Sequence, residues 1–277
     1  MSNQPKPNAL ELLKDDFLKG VKQKIINGEV VNRTNNFREE FVDLFHSTIQ
    51  SSKCFKLHNL DIFEIKETII GCHHYIDSIL IANNISQVQV LEHEYKYYER
   101  LNPNWNWATP GNLQPHQPLI IASPFPGYLD LHPDFTNLLD EAHEKNIDVH
   151  LDCAWLTCSN NLEIDVSHPS IKSIGISLSK GYASAWNRVG VRYTKTKDPT
   201  DPITIFDNAR MCPETVVRNG ICLLEHIPVD YMWNKYGDKY YEIIEEHNLD
   251  IGKILFAAYG KDRVIYSISH LMTETQG

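Results

Sequence analysis

Between residues 119 and 206 the chain alternates short apolar runs with helical or loop-forming segments, and this alternation limits the fold more than any other feature. Leu119-Ile120-Ile121-Ala122 is an apolar run of strand length, closed by Pro124 and Pro126-Gly127. Ile147 to Asp152, Ile171 to Ser177 and Arg188 to Thr194 read as further strands, and Ile203 to Phe206 as another. Between the first two, Phe135, Leu138, Leu139 and Ala142 recur at helical spacing behind Pro133-Asp134, a plausible helix start. Short strands separated by helices or long connections are the sequence form of a parallel α/β sheet. The expected fold class is therefore α/β, a mainly parallel sheet flanked by helices, with a reduced C-terminal region. Ligands of such sheets gather at the carboxyl ends of the strands. Asp152 and Lys180 fall there.

The flanking regions read differently. The first thirty-odd residues are polar, an arm with one short helix, and Phe37, Phe41, Leu44 and Phe45 then share one face of a helix reaching about Gln50. Ile76, Ile79 and Leu80 mark a helix opening after Gly71-Cys72-His73, and Val88 to Leu91 a short strand. Beyond Pro213 two helices are expected, to about Leu224 and over Val229 to His247. Ile254 to Ala257 and Val264 to Ile268 read as two small strands. The expected division is an N-terminal arm and helix (1–50), an α/β domain (51–208) and a reduced C-terminal region (209–277).

Composition narrows the function classes. Twenty-six basic against thirty-six acidic residues leave a net charge of −10, which argues against a general nucleic-acid or anionic-membrane binder. No apolar stretch approaches the roughly 18 residues of a membrane span. The start, Met1-Ser2-Asn3-Gln4-Pro5-Lys6-Pro7, lacks an apolar signal core, so a cytoplasmic protein is expected. The six cysteines form no CxxC and read as reduced, partly buried thiols. Despite thirteen histidines no paired ligand spacing is present, and no metal site is expected.

One cluster carries chemistry. Ser177-Leu178-Ser179-Lys180-Gly181 places a lysine just past a strand between small hydroxyl residues, with Arg188-Val189-Gly190 eight positions on. Alone, it reads equally as a solvated loop lysine. Upstream stand Asp152-Cys153-Ala154-Trp155 at a strand end, Ala122-Ser123-Pro124-Phe125-Pro126-Gly127 at a turn, Gly71-Cys72-His73 at a helix start, and Glu92-His93-Glu94-Tyr95. In this order the segments resemble the fold-type-I pyridoxal-phosphate (PLP) enzymes of the class I/II aminotransferase group, over roughly residues 65 to 195. The resemblance implies a cofactor, pyridoxal 5'-phosphate, bound to Lys180 as a Schiff base. Lys180 would also move the substrate Cα proton, and Asp152 would hold a proton on the cofactor's ring nitrogen. Arg188, Ser177, Ser179 and the amides of Cys72 and His73 behind Gly71 would hold the phosphate. Tyr95 would stack on the ring, and Ser123 and Trp155 would lie beside its phenolic oxygen.

The sequence departs from the family pattern in ways that bear on reaction type. Ser123 stands in a shortened turn where the family carries an asparagine, and Trp155 where it has a tyrosine. An indole can only donate. Tyr266 stands at the place of the family's carboxylate-binding arginine, with Arg263, Arg218 and Arg210 as possible substitutes. Arg192 is expected to face solvent, and His150, two before Asp152 on one strand, to be either a partner of that carboxylate or a packed side chain. The trimmed chain implies a homodimer that completes the site, with Trp105-Asn106-Trp107, Tyr231, Trp233, Tyr236, Tyr240 and Tyr241 as interface candidates, half or more of them core. The function implied is an aminotransferase acting on a small-molecule amino acid or amine. The alternatives are a PLP-dependent lyase, decarboxylase or oxidative deaminase, or a non-catalytic binding protein.

Overall fold

The structure is a computed structural model and describes residues 4–7, 13–102, 105 and 107–273. Met1-Ser2-Asn3 and Asn106, both used in the sequence reading, lie outside the described residues. In chain order the first elements are β1 (Lys6–Pro7), α1 (Asp16–Ile26), α2 (Phe37–Ser51), β2 (Phe55–His58), β3 (Ile65–Ile69), α3 (Cys72–Asn83), β4 (Gln89–Val90) and α4 (Tyr97–Leu101). There follow β5 (Leu119–Ala122), α5 (Phe135–Glu144), β6 (Val149–Asp152), β7 (Leu162–Asp165), β8 (Ile171–Ser177) and β9 (Gly190–Thr194). The chain closes with α6 (Pro202–Asn208), α7 (Glu214–His226), α8 (Tyr231–Glu246), β10 (Ala257–Tyr259), β11 (Ile265–Ser267) and α9 (Ser269–Met272).

The central sheet has six strands in the order β3-β9-β8-β6-β5-β4. Strands β4, β5, β6 and β8 are mutually parallel, while β9 runs antiparallel to both β8 and β3. A mainly parallel sheet is what the alternation of runs implied. The exception arises because β8 returns to β9 through the lysine-bearing loop rather than a crossover helix. Period-two alternation divides the strands between two cores. Ile120 and Val90 pack with Tyr75, Ile76, Ile79 and Leu80 of α3 on one face. Leu119, Ile121, Val149, Leu151, Ile174 and Ile176 face the larger core with Phe41, Leu138, Ile221 and Tyr240. Gly175 is required by this packing, since a Cβ there would lie 2.3 Å from the Tyr75 ring.

Two sequence expectations are corrected. The run Ile203–Phe206 is helical, inside α6, because Asp201 caps it by accepting from the amides of Ile203 (2.8 Å) and Thr204 (3.1 Å), and Pro202 sits in the first turn. Arg192 does not face solvent: it is buried in β9, where it donates to Glu67 of β3 (Nε to Oε2, 2.8 Å) and to Asp201 (2.6 Å). Glu67 also accepts from Thr204 Oγ1 at 2.7 Å. A strand between two neighbours, covered on both faces, leaves no route to water, so the charge is neutralised internally. Replacing Arg192 by Met strands the Glu67 carboxylate, and urea unfolding is expected to show a loss of about 3–5 kcal/mol. Adding Glu67→Gln should recover most of it.

Of the two small C-terminal strands expected, Val264 to Ile268 contains β11, whereas β10 only begins at Ala257, where the expected Ile254 to Ala257 strand ends. Strand β11 pairs with β10 and with β1 from the chain start. The arm is fastened by buried Asp15, whose carboxylate accepts from Lys235 (2.5 Å) and Tyr236 (2.6 Å) of α8 and caps α1 at Leu18. Tyr236 and Tyr231 thus anchor the arm, while Trp105, Trp233 and Tyr240 are core. Among the described residues no helix is long and apolar enough to cross a membrane.

Candidate active site

Parallel strand ends deliver the acidic side of the site. Ala122 of β5 registers with Asp152 of β6, which registers with Gly175 of β8, so Ser123, Asp152 and Ser177 share one edge of the sheet. The Ser123 amide donates to the Asp152 carbonyl at 2.9 Å, and the Cys153 amide to the Gly175 carbonyl at 2.8 Å. Helix α3 starts above this edge with Gly71, whose φ of 82° is in the region glycine tolerates.

Asp152 is buried, with one carboxylate oxygen accepting from the Ala154 amide at 3.1 Å. Burial raises its pKa to about 6, and the Cys72 thiol, the Ala154 amide and the Lys180 charge each pull the other way. The same burial keeps Cys72 a thiol, which donates to the Gly175 carbonyl at 3.6 Å. A carboxylate so poised is stabilised by any cation placed against it.

A cup for an anion lies at the α3 start. A Cβ on Gly71 would stand 3.4 Å from Arg188 Nη2 and 3.7 Å from Ser179 Oγ, so glycine keeps the guanidinium, the hydroxyl and the helix amides around one space. The buried Ser179 Oγ has no hydrogen-bond partner among the described residues. Arg188 Nη2 donates to His73 Nδ1 at 2.8 Å, and His73 Nε2 lies 3.1 Å from Tyr95 Oη. An orphaned buried hydroxyl, an arginine and helix amides fit a phosphate.

Lys180 follows the end of β8 and is half-buried, its ammonium 4.7 Å from the centre of the Trp155 ring. The loop is held by the Gly181 amide donating to Thr157 Oγ1 at 3.2 Å. A Cβ on Gly181 would meet the Thr157 carbonyl at 2.2 Å, which fixes glycine after the lysine. Ser123 Oγ is fully buried and, like Ser179 Oγ, lacks a hydrogen-bond partner among the described residues.

The residues singled out in the sequence thus fall into one neighbourhood, with exceptions around it. His150 does not bond Asp152: its Nδ1 pairs with Ser173 Oγ at 2.7 Å, and the same hydroxyl meets Tyr75 Oη at 2.8 Å. Burial lowers the His150 pKa to about 4, so it stays neutral there. Arg218 is tied to Glu214 (2.8 Å) and to the Thr34 carbonyl (2.9 Å) of the arm, and Tyr266 donates to Asp262 at 3.1 Å. Glu94, to which the sequence assigns no role, is buried, with Oε1 accepting from the Ala122 amide at 2.8 Å and Oε2 without a partner among the described residues. Burial, then the nearby Asp152, push its pKa well above the usual carboxylate range. No pattern in Glu92-His93-Glu94-Tyr95 distinguishes it from a surface glutamate.

The chain is similar in fold to several enzymes of solved structure. A PLP-bound C-S lyase from Staphylococcus hominis matches with a TM-score of 0.63 at 10% identity, over 96% of this chain and 84% of that one. Alanine aminotransferase from Pyrococcus furiosus matches with a TM-score of 0.60 at 15% identity, over 92% and 75%. A double mutant of aspartate aminotransferase from Thermus thermophilus matches with a TM-score of 0.59 at 11% identity, over 91% and 75%. No protein-family model and no curated protein sequence matches the chain. The chain has the fold of the fold-type-I PLP-dependent enzymes, with a mixed, mostly parallel six-stranded sheet.

Proposed function

We propose that this chain is a PLP-dependent enzyme acting on an amino acid or amine, most simply as an aminotransferase. The observation that carries the reading is the convergence of Lys180, buried Asp152 and the Gly71–Ser179–Arg188 cup at one sheet edge. Bound PLP supplies an amine-reactive aldehyde and an electron sink for bonds at the substrate Cα. Lys180 would provide the amine that anchors it and the base and acid for the Cα proton. Asp152 would hold a proton on the ring nitrogen, while Arg188, Ser177, Ser179 and the Cys72 and His73 amides would hold the phosphate. Tyr95 would flank the ring, and Ser123 and Trp155 would lie beside its phenolic oxygen. The proposal includes a homodimer and a cytoplasmic location.

A lyase reading is favoured by Trp155 and Ser123, which replace the family's amide and phenol contacts, and the matched C-S lyase fits it. The cup is tested with Arg188→Ala. A hydrogen bond to a charged group is worth about 1.5–3 kcal/mol, so PLP affinity should fall about 10- to 150-fold while affinity for pyridoxal, which lacks the phosphate, stays within about twofold. An equal loss for both aldehydes would remove Arg188 from the phosphate.

A further inference from the structure

We infer that His73 is a positioning residue that links the anion cup to Tyr95, and that an anion entering the cup makes it take up a proton. The inference rests on the PLP reading above for the role of the cup, but not for its geometry. His73 sits in the first turn of α3, between Arg188 on one side and Tyr95 on the other. Its ring is met edge-on by Tyr95 (centroids 5.5 Å apart, 73°) and by Tyr97 (4.9 Å, 85°), so it has one orientation.

That orientation fixes a tautomer. A guanidinium nitrogen only donates, so Nδ1, 2.8 Å from Arg188 Nη2, is the acceptor. The proton of the neutral ring is then on Nε2 and is donated to Tyr95 Oη. Arg188, His73 and Tyr95 form a directed chain from the cup to the aromatic flank. The charged groups around the ring are Arg188 and Lys180 from the β8–β9 loop and Asp77 from its own helix; Tyr95 and Tyr97 complete the surround. Burial, then Arg188, lower the His73 pKa, with Lys180 adding to this and Asp77 opposing it.

An anion in the cup reverses the balance. It draws Arg188 Nη2 away from Nδ1 and places negative charge beside the ring, so Nδ1 gains a proton and becomes a second cationic donor to the anion. The proton comes from solvent and no covalent bond changes. By linkage, a His73 pKa that is higher with anion bound means tighter anion binding as pH falls through that bound value, levelling off below the free value. Each unit of pKa rise corresponds to a tenfold gain in affinity. Because the Nε2–H stays directed at Tyr95, the phenol is held in the same place before and after.

The probe is inorganic sulfate, which does not titrate in this range, added to the full chain freed of small molecules. The His73 ring Cε1–H resonance, identified by its loss in His73→Gln, is followed against pH with and without saturating sulfate, and sulfate affinity is measured at both ends of the range. The expected result is a midpoint raised by about one unit or more, a correspondingly tenfold or greater tightening of sulfate at low pH, and loss of that pH dependence in His73→Gln, which retains the Nε2-type donor to Tyr95. Sulfate that binds with the His73 midpoint unmoved would overturn the inference and leave the PLP reading intact. No sulfate binding at any pH would overturn the inference too; PLP binding measured separately then decides the fate of the cup.

Discussion

The Lys180→Ala protein should take up PLP without forming the near-visible absorption band of a lysine-bound aldehyde, and borohydride should fix no label to it. With a suitable amino donor its turnover should fall by about 10²–10⁴-fold, the range for loss of a positioned general base. The geometry gives the reason for so large an effect. The Lys180 ammonium is held over Trp155 by a loop that Gly181 lets pass against Thr157, and among the described contacts no second lysine is placed beside Asp152. Turnover at the wild-type rate would show that the lysine is wrongly assigned. Melting measured beside it separates loss of chemistry from loss of fold, since Lys180 makes no ion pair among the described residues and its ammonium rests on the Trp155 ring.

Asp152→Asn should move stability and cofactor affinity in opposite directions. In the chain without cofactor, burial raises the Asp152 pKa from 3.8 to about 6. A carboxyl whose folded pKa exceeds its unfolded value stabilises the folded state when protonated, and that advantage is lost as pH rises from about 3.8 through about 6. Above this window the ionised group costs about 3 kcal/mol relative to acid conditions, an order of magnitude that Lys180 and the Ala154 amide already reduce. The neutral amide escapes the cost. Unloaded Asp152→Asn should therefore melt several degrees above wild type at pH 8, with the difference gone below about pH 4. The same variant should bind PLP about 10- to 150-fold more weakly, since the charged contact to the ring nitrogen is lost. A variant less stable than wild type at pH 8 would contradict the desolvation argument. This is the expected trade of stability for function at a site.

Much of this was legible in the chain because strand ends have a strong pattern. Leu119–Ala122 and Ile171–Ser177 are strands with the bounds their apolar runs suggest, and the strand expected over Ile147 to Asp152 does end at Asp152, so the acid closes one strand and the lysine lies just past another. Where the pattern is mixed it failed. Ile65–Ile69 carries Lys66 and Glu67 and gives no apolar run, so β3 was not recognised, and with it went the buried partner of Arg192. The β-branched run Ile203–Phe206 suggested a strand, although Asp201-Pro202 before it is a helix-start signal of greater weight. The pairing of His150 with Ser173 and the burial of Glu94 depend on contacts between distant segments, which periodicity does not encode. The Arg188–His73–Tyr95 chain likewise joins three segments, each unremarkable alone.

The most direct test is the absorption spectrum of the purified chain with PLP, before and after borohydride, followed by peptide mapping. The expected result is a near-visible band that disappears on reduction, with the added mass on the peptide containing Lys180. A band that persists, a reduced adduct on another lysine, or no band even with excess PLP would contradict the assignment of Lys180 as the cofactor's anchor.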